Sequence, residues 1–298
     1  MLKSKLKRTL FRSLLAATLG FAFAGSAVAA SKPLTLEVYN PGANGMFPVS
    51  SELISGERDA ILIDAQFDRA NAGQLLKKIQ DSGKQLTTIY ISHGDPDYYF
   101  GLEVLKAAYP DVKIVASAPV IAHIKATMQA KLAFWGPKLG VNAPQQLIVP
   151  EALQGNTLTL EGRKLEVIGL DGPGANRSFV WIPSLKAVVG GVVVDGNQHV
   201  WTADTQTPAA RQQWLKTLDR IEALQPVTVV PGHFSAGAPQ TIESVRFTRN
   251  YLKTYEAETT KAKDSAELIA AMKKHYPGLT GESSLELGAK VSKGEMKW

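Results

Sequence analysis

The sequence predicts an α/β-type domain whose chemistry sits at the carboxyl ends of its strands. Two observations lead there. Short β-branched runs alternate with amphipathic helical stretches through most of the 298 residues. The side chains able to bind metals or move protons fall where those runs stop, which is where open α/β sheets place ligands. The clearest case is Leu86-Thr87-Thr88-Ile89-Tyr90-Ile91, a buried strand, followed by Ser92-His93-Gly94-Asp95-Pro96-Asp97-Tyr98 and then a helix from Leu102. One histidine and two aspartates stand within five residues, in a backbone turned by Gly and Pro. Asp-Pro-Asp is also an ordinary turn and helix N-cap signal, so the cluster has a purely local reading as well.

The first thirty residues are set aside before the fold is read. Lys3, Lys5, Lys7, Arg8 and Arg12 precede an apolar run, Leu14–Phe23, and then the small residues Gly25–Ala30. That order predicts a secretory signal peptide cut near Ala30, and hence a periplasmic or secreted protein. Five basic residues go with it, and the excess of basic side chains almost vanishes. The remaining chain has no charge case for nucleic acid or anionic membrane, and no stretch apolar enough to span a bilayer. There is no cysteine, so a metal here must be held by His, carboxylate or water.

In order, Thr35–Tyr39, Pro48–Ser55 and Ala60–Ala65 predict three strands too closely spaced for helical crossovers, hence an antiparallel meander. Asp68–Asp81 predicts a helix, with Leu75, Leu76 and Ile79 on one face. A strand at Val112–Ala116 leads to a helix from Ala118 to about Ala133, and Phe134–Pro144 is expected as a loop over a pocket. Strands follow at Gln146–Pro150, Thr157–Leu160, Lys164–Leu170, Ser178–Ile182 and Ala187–Val194. Thr207–Leu224 is a helix with Trp214, Leu218 and Ile221 as its core stripe. Val227–Val230 is a last buried strand, ending in Pro231-Gly232-His233. Thr241–His275 is mostly helical, and the tail to Trp298 carries little pattern. The domain expectation is a signal peptide over 1–30, one domain over 31–240 and a helical extension over 241–298 packed on it.

Candidate site residues therefore lie at four strand ends: Asp64; His93, Asp95 and Asp97; Asp171; and His233. His123, His199 and His275 are expected to be structural or solvated. Phe134, Trp135 and Trp201 are candidates for an apolar pocket. Three aspartates brought close together raise one another's pKa. A cation resolves that conflict; so does a base such as Arg177, which would leave a salt-bridged, silent pocket.

This order of elements resembles the metallo-β-lactamase superfamily: a meander, an Asp-terminated strand, a strand–His-loop–helix, the Asp171-Gly172-Pro173-Gly174 turn, a Gly-Gly strand and Pro-Gly-His. The resemblance covers roughly Leu34–Ala236. It implies an αββα sandwich of the α+β or α/β kind, metal sites at the sheet edges, and hydrolysis of ester, thioester, lactone, amide or phosphodiester bonds in a small-molecule substrate. The family's His-x-His-x-Asp-His loop here reads His93-x-Asp95-x-Asp97-Tyr98. By that resemblance Asp171 takes the third histidine's place and His233 the last one's, and the carboxylate that usually follows a Gly is missing at Gly191 and Val192. The resemblance implies one divalent ion, zinc first and manganese or iron as alternatives, on His93, Asp95 and Asp171. Asp97 and His233 remain of a second site. Asp97 would orient water or take its proton, His233 would act as general acid, and Tyr98 would bond an oxyanion. The alternative is a binding or scaffold protein that kept the fold and lost the chemistry.

Overall fold

Residues 60–63 (Ala-Ile-Leu-Ile) show how the layers are built, because both faces of this strand are covered. In the computed structural model, which describes residues 32–172 and 177–298, Ala60 and Leu62 face one core while Ile61 and Ile63 face another. A strand buried on both sides reads as continuously apolar rather than alternating. The proposed signal peptide and residues 173–176, which include the second half of the Asp-Gly-Pro-Gly turn, lie outside the described residues.

The first sheet has the order β1-β2-β3-β4-β5-β6, formed by Thr35–Tyr39, Ser51–Ser55, Asp59–Ile63, Gln85–Ile91, Lys113–Ala116 and Glu151–Ala152. Strands β1 to β3 pair antiparallel, as the short connections require. From β3 onward the pairing is parallel, and the crossovers carry α1 (Arg69–Asp81), α2 (Pro96–Tyr99), α3 (Leu102–Ala108) and α4 (Ala118–Leu139). The second sheet has the order β12-β10-β9-β8-β7, with β7 at Thr157–Leu160, β8 at Arg163–Ile168, β9 at Phe179–Ile182, β10 at Ala187–Val189 and β12 at Thr228–Val229. A two-stranded piece joins β11 (Asp195–Gly196) to β13 (His233–Phe234). The remaining helices are α5 (Pro208–Ala223), α6 (Ile242–Lys261), α7 (Ser265–His275) and α8 (Glu282–Ser292).

Three buried clusters give four layers. One holds the first sheet to the early helices through Leu75, Ile79, Leu102 and Ile124. A second lies between the sheets, where Ile54, Ile63 and Tyr90 meet Leu165, Val180 and Val189. The third sets the second sheet against α5 to α8 through Trp214, Leu218, Tyr251, Leu268 and Leu285. Among the described residues no helix is long and apolar enough to cross a membrane.

Four sequence expectations are corrected. Helix α4 continues through Phe134 and Trp135 to Leu139, with Pro137 in its last turn and Gly140 turning out at φ 56°. Proline there loses one hydrogen bond close to an end that is already open, so the expected loop is helical. Gln146–Pro150 forms no strand: only Glu151 and Ala152 pair with β5, and Leu147, Ile148 and Val149 are apolar because they pack on the first core. Strand β10 stops at Val189, where Gly190 and Gly191 take positive φ. A Cβ on Gly191 would lie 2.3 Å from the Ser178 carbonyl oxygen. Finally, the tail has a pattern that the sequence reading did not see, helix α8, whose Leu285 and Ala289 are buried.

One exposed clamp ties the sheets at their far end. Glu161 accepts from the backbone N–H groups of Glu57, Arg58 and Asp59, and those three donors hold its pKa down at about 2. A carboxyl lowered in this way stabilises the fold above its unfolded pKa and loses that contribution as pH falls toward 2. Glu161→Gln should lower the melting temperature at pH 7, and the gap to the unaltered protein should close between about pH 4.5 and pH 2, a window set by that shift.

Candidate metal centre and its cleft

Strand β4 delivers His93 from its carboxyl end into a buried position. The next residues decide between the local and the chemical reading of Asp-Pro-Asp. Asp95 occupies the N-cap of α2 with Pro96 behind it, yet its side chain makes no capping bond. Its Oδ2 lies 3.3 Å from His93 Nε2, and its Oδ1 accepts from Lys131 Nζ of α4 at 2.6 Å, with His123 Nε2 at 3.6 Å. The carboxylate has left the helix end for three nitrogens. Burial works against its charge, but His123, His93 and the Lys131 ammonium outweigh burial and hold its pKa well below the usual range.

A third donor completes the group. Among the described residues, His93, Asp95 and Asp204 offer ligand atoms that all lie within 4.8 Å of one another. Asp204 precedes α5 and is fixed by Arg177, whose guanidinium donates to Asp204 Oδ1 (2.9 Å), to Thr205 Oγ1 and to the Val192 carbonyl while stacked on Trp214 at 3.6 Å. Arg177 was the base expected to silence an aspartate; it engages Asp204 through one oxygen only. Burial disfavours a charged His93, but the hydrogen bond and charge of Asp95, with Asp204 adding, leave its pKa raised.

Asp171 is not part of this group. It is three-quarters exposed and makes a bidentate pair with Arg220 of α5, at 2.7 and 2.8 Å. That pair lowers its carboxyl to about 2. The position that the resemblance gave to a third ligand is therefore a surface ion pair, and the second carboxylate of the His93 group comes from Asp204.

Asp97 and His233 form the neighbouring pair, with Nε2 2.9 Å from Oδ2 and both side chains about nine-tenths buried. Burial lowers His233, but the hydrogen bond and charge of Asp97, then Asp195 and Asp95, more than offset it, so its pKa is raised. Asp195, opposite His233 in the β11–β13 register, is raised by burial to about 6. Its Oδ2 is buried without a hydrogen-bond partner. Tyr98 stands edge-on between the two imidazoles, 5.4 Å from His93 and 5.7 Å from His233. Burial and the surrounding aspartates push its phenol far above the ordinary range, so it stays protonated. Its Oη is also buried without a hydrogen-bond partner. Gly232 makes this approach possible: a Cβ there would meet the Gly191 carbonyl at 2.1 Å and Tyr98 Oη at 3.0 Å.

Asp64 is structural. Its two oxygens accept from Ser92 N (2.8 Å) and Ser92 Oγ (2.5 Å), and that hydroxyl accepts from Gly191 N at 2.7 Å, fastening β3 and β4 to the second sheet. Burial raises Asp64 to about 7. His199 is buried against Tyr251 and His275 is half-exposed beside Glu258. Neither joins the site.

Above the pair lies a cleft of about 800 Å³, within the range of small-molecule sites. Asp95, Asp97, Tyr98, Lys131 and His233 line it, together with Phe47, Trp135 and Trp201. Residues 277–284 and Trp298 form one wall. The sequence reading missed Asp204 and Lys131. A signal for Asp204 existed: between Gly172 and Leu218 the only acids are Asp195 and Asp204, so an absent family carboxylate left two places to look.

The donor set fits one divalent ion. An imidazole and two carboxylates are chemically adequate, and each carboxylate gives one oxygen to a cationic side chain and keeps the other: Lys131 bonds Oδ1 of Asp95, and Arg177 bonds Oδ1 of Asp204. Those fixed cations orient the ligands and also repel an ion. Lys131→Met should therefore raise divalent-ion affinity about tenfold by titration calorimetry, an order-of-magnitude Coulomb estimate for one close unit charge partly screened by solvent. A drop instead would mean that the ammonium is needed to hold Asp95 in place.

The four layers, with this group at one end of the two sheets, define a metallo-hydrolase-like αββα sandwich. The sequence profile of the metallo-beta-lactamase superfamily matches residues 44–233, more than half of the chain, and the protein belongs to that superfamily. It is similar to a metallo-beta-lactamase from Pontibacter korlensis, at 19% identity and a TM-score of 0.54, over 76% of this chain and 97% of that one. The DIM-1 metallo-beta-lactamase follows at 19% identity and a TM-score of 0.49, over 76% and 99%. No curated protein matches the chain.

Proposed function

We propose that the chain is an exported hydrolase that uses one divalent ion, zinc first and manganese or iron as alternatives, held by His93, Asp95 and Asp204. The observation that carries this reading is the convergence of those three donors beside the Asp97–His233 pair, with Asp95 common to the ion site and the cleft. The basic, apolar, small-residue order of the first thirty residues supports export. A divalent ion supplies Lewis acidity there, polarising a carbonyl or phosphoryl oxygen and making water more acidic.

The protein's own groups do the rest. Asp97 lines the cleft and accepts the proton of the attacking water, with His233 Nε2 fixing its carboxylate. His233, whose raised pKa favours the protonated form, passes a proton to the departing oxygen or sulfur. Tyr98 Oη remains a donor for charge developing on the substrate oxygen. Ester, thioester and lactone bonds suit this set, because each needs a base, an acid and an oxyanion donor.

The test is a panel of esters, thioesters, lactones and phosphodiesters, assayed with the ion stripped by chelator and restored as zinc, manganese or iron. Turnover of at least one class, lost on stripping and recovered on restoration, is expected. Turnover that is indifferent to chelator, or no bound ion after incubation, contradicts the reading.

A further inference from the structure

Every charged side chain that lines the cleft is already matched by one of the protein's own. Lys131 is with Asp95 at 2.6 Å, His233 with Asp97 at 2.9 Å, and Glu282 with Lys273 at 2.5 Å. Lys131 is the one lysine or arginine among the described lining residues, and its ammonium also lies 5.4 Å from the centre of the Trp298 ring. A charged ligand group lodged among the rings, away from the ion site, would be desolvated without a free counter-charge, which is costly.

Five rings line the same cleft, Phe47, Phe67, Trp135, Trp201 and Trp298, and the exposed Phe134 beside it links them into a belt. Phe67 and Phe47 are 5.2 Å apart, Phe47 and Trp135 5.3 Å, Trp135 and Phe134 4.8 Å, and Trp298 and Trp201 5.1 Å, with Phe134 and Trp298 closing the gap at 6.4 Å. Phe47 is 6.5 Å from the His233 ring, so the belt runs up to the reacting groups. Its members come from the loop before β2, from the turn between β3 and α1, from α4, from the segment before α5 and from Trp298. Edge-to-face clusters of this kind leave ring faces and edges for another flat ring.

We infer that the cleft takes an uncharged ester or lactone bearing a flat aromatic ring system, laid against Trp135, Trp201 and Trp298, with its reacting carbonyl at the Asp97–His233 end. This rests on the hydrolase reading and narrows it to aryl substrates that carry no charge on the part held by the rings.

Equilibrium binding of three matched probes to the full chain, freed of divalent ions by chelator, tests it by calorimetry: 2-naphthamide (neutral, aromatic), 2-naphthoate (anionic, aromatic) and decahydronaphthalene-2-carboxamide (neutral, not aromatic). Naphthamide should bind at least tenfold more tightly than either of the others. Trp298→Ala, at a ring already about a third exposed, should weaken it at least tenfold with the melting temperature unchanged, and Trp135→Ala should weaken it as much while lowering the melting temperature, because that ring packs on the first core. The inference is overturned if naphthoate binds as tightly as naphthamide, if the saturated amide equals it, if neither tryptophan variant weakens it, or if none of the three binds. Binding does not require turnover, so the two readings fail separately. Naphthamide bound by a protein that hydrolyses nothing sinks only the hydrolase reading. Hydrolysis confined to anionic or aliphatic esters sinks only this one.

Discussion

Replacing Asp97 by asparagine is expected to reduce hydrolysis by about 10³-fold, within the range that a positioned general base contributes, with little change in melting temperature. The substitution keeps the shape of a side chain that is about nine-tenths buried, together with a hydrogen-bond partner for His233 Nε2 2.9 Å away, and removes only the ability to hold a proton. Asp97→Ala should lose as much activity but also stability, because His233 is then left buried without its partner. The measurement is kcat for both variants beside urea unfolding. Full activity in Asp97→Asn would remove Asp97 from the reaction.

The second large effect concerns the ion. Asp204→Ala and Asp95→Ala should each lower divalent-ion affinity by 100-fold or more, on the order expected when one of three protein donors and its negative charge are lost. Asp171→Ala should leave it unchanged, because Asp171 serves Arg220 on the surface. The affinity of the unaltered protein should fall as pH drops through the pKa of His93, which Asp95 and Asp204 raise, because proton and ion compete for the same nitrogen. Titration calorimetry at two pH values checks both claims. An Asp171→Ala effect equal to that of Asp204→Ala would restore the ligand set that the resemblance implies.

Much of the fold was legible because burial writes itself into periodicity. The continuous apolar run of β3, the meander spacing before it and the Trp214–Leu218–Ile221 stripe of α5 could all be read without coordinates. What failed was local. Leu147–Val149 are apolar for packing and not for pairing, and short apolar runs do not distinguish the two. Phe134-Trp135-Gly136-Pro137 looked like a loop because Gly and Pro usually end helices, yet a single proline in a terminal turn is tolerated.

The candidate site was legible where its residues are contiguous in sequence. His93, Asp95 and Asp97 sit on one strand end, and His233 on another. Asp204 and Lys131 were not legible, because they reach the group from the loop before α5 and from the middle of α4, and nothing in their own neighbourhoods marks them. Asp171 was misplaced for the converse reason. Its Asp-Gly-Pro-Gly turn matched a motif position, while its actual partner, Arg220, lies 49 residues away.

Crystals soaked in manganese or zinc and measured across the metal's absorption edge test the central claim most directly. The account predicts one anomalous peak, within coordination distance of His93, Asp95 and Asp204. A peak at Asp171, one placed only on Asp97 and His233, or none at all would contradict it.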